Sequence, residues 1–106
     1  MVTEMSDETP IIPVVGMPCS FSCGSDRNPG HISKVWPSGK TVLVREAQAV
    51  PGPGFDYHAN QNYVITPDPD GYERRFTLRK NGRWVSKGGT YRLGLGHASK
   101  YHDPHF

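Results

Sequence analysis

Residues 71–88 read GYERRFTLRKNGRWVSKG, and this stretch decides the fold. Asn81-Gly82 is a strong hairpin signal, because a type I′ turn needs positive φ at both central positions. A two-residue loop there pairs Lys80 with Arg83, Arg79 with Trp84, Leu78 with Val85 and Thr77 with Ser86. Side chains alternate along a strand. Phe76, Leu78 and Val85 are therefore expected in the core, and Arg75, Thr77, Arg79, Trp84 and Ser86 on the outer face. Planar guanidinium groups beside an indole suit phosphates and flat rings. The hairpin thus predicts a binding face without catalytic apparatus, with Arg75 and Arg79 holding phosphate and Trp84 stacking on a base. A basic strand of this kind also serves as a solvated edge that resists aggregation.

The flanking sequence punctuates into more strands. Pro67-Asp68-Pro69-Asp70-Gly71 is a turn in which Pro sets φ, Asp caps and Gly accepts positive φ. Asn62–Thr66 before it and Thr90–Leu95 beyond the hairpin are short strand candidates. His31–Trp36 and Thr41–Glu46 flank Pro37-Ser38-Gly39 as a second hairpin. Val42 and Val44 share one face of their strand, and Ile32, Lys34 and Trp36 share one face of theirs. Ile11–Met17 is expected as an edge strand because Pro13 removes a ladder donor. Cys19–Gly30 is expected to be a loop, as is 47–60, AQAVPGPGFDYHAN, with two Pro-Gly pairs. Residues 1–10 are polar, acidic and aperiodic, and are expected to be disordered. Residues 11–106 are expected to form one small domain.

Several short strands, glycine-rich turns and no long helical period predict an all-β fold. It is a small curled antiparallel sheet or an SH3-like barrel, with long loops and an ordered C-terminal tail. Ten prolines, twelve glycines and 35% hydrophobic residues in 106 point to a thin core. A chain of that kind often gains stability as a homodimer or higher homo-oligomer, and the apolar IIPVV run at 11–15 is the expected contact.

The net charge is only +2, but it is unevenly spread. Residues 1–70 carry four basic and eight acidic side chains, and residues 71–106 carry eight basic and two acidic. That clustering favours an anionic partner. No apolar run is long enough for a membrane helix and no signal peptide is visible, so a cytoplasmic location without membrane contact is expected.

Ser25-Asp26-Arg27 is the other candidate site. Ser25 and Arg27 can donate to a phosphate while Asp26 orients Arg27, with His31 following. The same tripeptide equally makes a structural turn. Cys19 and Cys23 have C-x3-C spacing, which is not that of a structural zinc site. His97, His102 and His105 do not share a helical face, and Pro104 disfavours a helix there. No metal, cofactor or catalytic residue is therefore assigned. No nucleophile elbow, phosphate loop or zinc-protease motif is present. Tyr101 and Phe106 are expected to anchor the tail.

The segments SDR, HISKV, GKTVLV, PDPDG, FTLRKNGRW, RLG and YHDPHF, in that order over roughly residues 14–106, resemble a family of small uncharacterised proteins encoded by tailed bacteriophages and prophages. The chain departs from that pattern at Cys19/Cys23 and at 47–60. The resemblance implies expression inside an infected bacterium and supplies no biochemical activity. In that setting a non-enzymatic module would bind an anionic ligand (nucleotide, nucleotide immune signal or nucleic acid) and counter host defence. One alternative is a protein-interaction inhibitor docking on a host enzyme. Another is a small metal- or histidine-dependent hydrolase.

Overall fold

The computed structural model describes residues 11–101. The strands are β1 (Pro18–Cys23), β2 (Asp26–Val35), β3 (Thr41–Glu46), β4 (Gln48–Pro51), β5 (Tyr63–Thr66), β6 (Glu73–Leu78), β7 (Trp84–Ser86) and β8 (Arg92–Leu95). A short 3-10 turn, Lys87–Gly89, joins β7 to β8. Six strands close an antiparallel barrel in the order β1-β2-β3-β6-β7-β8, with β8 paired back onto β1. β4 and β5 form a separate two-stranded arm. The all-β expectation holds, and the closed barrel is compatible with an SH3-like fold. Closure matters physically because it leaves the barrel without an open edge.

The hairpin at 71–88 forms, but one residue out of the expected register. Leu78 opposes Trp84, Thr77 opposes Val85 and Phe76 opposes Ser86. The Arg79 N–H donates to the Arg83 carbonyl at 2.8 Å, and the Gly82 N–H donates to the Arg79 carbonyl at 2.9 Å. The loop is therefore Lys80-Asn81-Gly82, a three-residue connection ending in a glycine at φ 83°. Asn81 does not adopt positive φ, so the type I′ requirement is not met and the longer turn wins. A one-residue slip sends every side chain of the second strand to the other face. Trp84 and Ser86 turn inward, at 8% and 6% exposure, while Val85 lies half-buried on the outside.

The region expected as a loop at Cys19–Gly30 is instead the β1–β2 hairpin, closed by the two-residue connection Gly24-Ser25. Pro29 lies within β2 and is fully buried. Its carbonyl accepts the Ala47 N–H at 3.0 Å, so its nitrogen points the same way, past the end of β3. The ladder to β1 loses nothing by the missing donor. Ile11–Met17 forms no strand: Met17 N–H donates to the Val14 carbonyl in a turn, which breaks the run after Pro13. The segment 47–60 is part arm, since Ala49 opposes Ile65 and Val50 opposes Val64.

Inside the barrel, Cys19, Phe21, Ile32, Val42, Val44, Phe76, Trp84 and Leu93 form the core. Strand alternation leaves the two barrel ends different. At the end holding the β1–β2 and β7–β8 connections, Arg74 projects inward from β6. Its guanidinium lies 4.8 Å from the Phe21 ring centre, 4.7 Å from Tyr72 and 4.9 Å from Tyr91. It also pairs with Glu46 at 3.2 Å. A cation fixed by rings and a carboxylate stoppers that end of the core. The other end, at the β2–β3 and β6–β7 turns, has no such plug among the described residues.

The chain after β8 crosses the outside of β1. Ser20 Oγ donates to the His97 carbonyl at 2.6 Å and accepts the Ser99 N–H at 3.0 Å. Tyr101 then exchanges two backbone bonds with Arg27, both 2.8 Å, filling the side of β2 that β3 has left. From His97 to Tyr101 the tail is held on β1 and β2 by these bonds. Phe106 and the tail residues His102, Asp103 and His105 lie outside the described residues.

Candidate ligand-binding face

The outer face of β2, β3 and β6 is organised by one irregularity. The β2–β3 register shifts between Ile32 and Lys34, so Ser33 is an extra residue and a β-bulge. Without it, Ile32, Lys34 and Trp36 would share a face, as the alternation predicts. With it, Ile32 points into the core at 0% exposure, while Lys34 and Trp36 move outside. The Ser33 hydroxyl holds the bulge by donating to Glu73 Oε2 at 2.8 Å.

Lys34 opposes Leu43, and Leu43 opposes Arg75. Across that row the Trp36 indole takes both cations, with Lys34 Nζ 4.9 Å and Arg75 Cζ 5.0 Å from a ring centre. The aromatic partner of Arg75 is therefore Trp36 and not Trp84. Further along β6 and its turn come the exposed Arg79 and Arg83. Around the barrel wall, Thr77 opposes Val85 and Val85 opposes Arg92, which leads away from Trp36. The one carboxylate on the outer side of β6, Glu73, is neutralised by Arg45 at 2.8 Å.

The remaining sequence candidates lie elsewhere. Ser25 sits in the β1–β2 turn and Arg79 in the β6–β7 turn, at opposite barrel ends. Four residues of strand from Arg75 to Arg79 span about 13 Å, so Ser25, Asp26 and Arg27 do not close a site around Arg79. Arg27 is engaged by the tail: its Nε donates to Ser99 Oγ at 2.7 Å. Its guanidinium lies 6.0 Å from the Tyr101 ring centre. His31 opposes Arg45 on the outside of β2, in a small hollow shared with Ile65 of the arm and Ala98 of the tail. The structure brings together Arg75 and the overlooked Lys34 and Trp36, with Arg79 and Arg83 further along the same face. The signal that could have found Trp36 was its two-residue spacing from Lys34.

Among the described residues, no group of three His, Cys, Asp or Glu side chains could hold a metal. Cys19 is buried and Cys23 exposed. Burial pushes the Cys19 thiol up to about 12, because a thiolate would be desolvated there. No helix among the described residues is long and apolar enough to cross a membrane. In comparisons with known proteins, no family model, no curated protein and no solved structure matches this chain.

Proposed function

We propose that this barrel is a non-enzymatic module that binds an anionic ligand, a single nucleic-acid strand, along the outer face of β2, β3 and β6. The observation that carries the reading is Trp36 flanked by Lys34 and Arg75, within 5.0 Å of both, and continued by Arg79 and Arg83. Cations spread along a face of several strands favour a strand laid across them over a small nucleotide, which needs enclosure. Base stacking on Trp36 would contribute about 1–3 kcal/mol. Lifting the flexible Lys34 from the ring costs about 0.5–1 kcal/mol, so stacking wins. Resemblance of the short motifs to tailed-phage proteins supports a setting in the host bacterial cytoplasm, where such a module would mask a host immune nucleic acid.

The test is fluorescence anisotropy of a labelled oligothymidylate at low salt, with Trp36→Ala and Arg75→Ala as variants. Binding that both variants weaken supports the reading. Binding unchanged in both, or absent in the parent protein, sinks it.

Protein docking is the second reading, and the β4–β5 arm favours it. Val50 and Val64 oppose each other at 44% and 47% exposure. Among the described residues no third strand pairs with β4 or β5, and an extended partner adds to a sheet at such an edge.

A further inference from the structure

Among the described residues, the barrel end at the β2–β3 and β6–β7 turns opens into a cleft of about 610 Å³. Its floor continues the core: Trp84 and Leu78 are cross-strand partners, and Leu95 closes one side. Ile11 and Ile12 form a wall, with Ile11 packed beside Gly96. The opposite rim is the β2–β3 turn, Ser38-Gly39-Lys40. Among the described residues that line this cleft none is a carboxylate, and Lys40 is the one that is charged. The Lys40 ammonium has no hydrogen-bond or ion-pair partner among the described residues. Arg79, Lys80 and Arg83 stand in the same turn as Gly82, which also borders the opening.

The apolar floor and Lys40 are distinct from Trp36, Lys34 and Arg75, none of which lines the cleft; the two regions share only the turn that carries Arg79 and Arg83. A volume between about 300 and 1,000 Å³, apolar walls and a few convergent polar groups are the marks of a small-molecule site, and barrel mouths are a common location. The contrast between the two ends sharpens the point. The chain sets Arg74, Glu46 and three rings over one mouth, and leaves Trp84, Leu78 and Leu95 under an open, positively rimmed space at the other.

We infer that this cleft binds a small aromatic carboxylate, its ring against Trp84, Leu78 and Leu95 and its anionic group at Lys40. The apolar floor supplies burial of the ring. The Lys40 ammonium supplies a charge-assisted bond to the carboxylate. The Lys40 ammonium disfavours a cationic analogue of the same shape.

The probe is 2-naphthoate, with neutral 2-naphthalenemethanol as the uncharged analogue, titrated into the full chain. The readout is the NMR signal of the Trp84 indole N–H, separated from that of Trp36 by the Trp36→Phe variant. The expected result is a saturable shift at Trp84 and tighter binding of the naphthoate than of the alcohol. Lys40→Gln then weakens the naphthoate alone, on the order of threefold for an exposed pair. Leu95→Phe, which narrows the cleft without adding charge, weakens both ligands. Three results would overturn the inference. The first is no saturable shift at Trp84 up to the solubility limit. The second is equal affinity for acid and alcohol. The third is light scattering that gives a dimer whose Trp84 signal ignores the ligand, which would assign the cleft to a second copy. Oligonucleotide binding is read at Trp36, so either outcome here is separable from the function proposed above.

Discussion

Leu78 and Trp84 face each other across β6 and β7, and that single pairing sets which residues of the hairpin can meet a ligand. It puts the larger aromatic of the hairpin into the core, beside Leu93. It leaves the neighbouring tryptophan, Trp36, as the ring available on the basic face.

Trp84→Ala should cost roughly 3–5 kcal/mol of folding stability, the usual loss for emptying a large core aromatic. Trp36→Ala should cost far less stability and about 1–3 kcal/mol of oligonucleotide binding. Urea unfolding together with anisotropy on both variants separates the roles. Equal stability losses would contradict the placement of the two rings.

Electrostatic contact by Arg75 should be visible in the salt slope. Arg75→Ala is expected to weaken oligonucleotide binding across all sequences and to reduce the slope of log K against log salt by about one. A variant with the parental slope would remove Arg75 from the phosphate contacts.

Ser20 pins the tail, with one bond given and one received under the crossing chain. Ser20→Ala leaves the Ser99 N–H and the His97 carbonyl without that partner, and should lower stability by about 1–3 kcal/mol. Thermal unfolding should show a drop of about 4 °C or more for a domain of this size. A midpoint equal to the parent's would mean the tail contributes nothing to the barrel.

Gly71 lies against the backbone of Glu46, and a Cβ there would overlap the Glu46 carbonyl oxygen. Gly71→Ala should therefore destabilise the protein by more than Gly39→Ala, whose Cβ meets open space and whose penalty is the φ of 73° alone, about 1–2 kcal/mol. Paired denaturation curves decide the order.

The Cys19 thiol gives a pH signature. Its folded value is raised from 9.0 to about 12, so above pH 9 the unfolded chain has lost a proton that the folded chain keeps. Its contribution is whole below pH 9 and is lost as pH rises toward 12, at up to about 1.4 kcal/mol per pH unit. Cys19→Ala should flatten the alkaline stability curve by that slope. In the native protein at pH 8, iodoacetamide should label Cys23 and spare Cys19.

The class of fold and the sites of reversal follow from the residues alone. Alternating Val42 and Val44, the Pro-Asp-Gly turn before β6 and the Pro-Ser-Gly turn between β2 and β3 act through local backbone preference, and local preference is written in the residues. The β1–β2 hairpin escaped because Pro29 reads as a turn former, and only the position of β3's end lets a proline sit inside β2 without an orphaned neighbour. The two decisions that matter for function belong to the tertiary structure. Whether the β6–β7 turn holds two residues or three, and whether Ser33 bulges, each move a strand by one position and exchange its faces. Such a shift changes little in local propensity. It is settled by which side chains fill the shared interior: Trp84 and Ile32 are drawn in, and Trp36 and Lys34 are left outside beside Arg75.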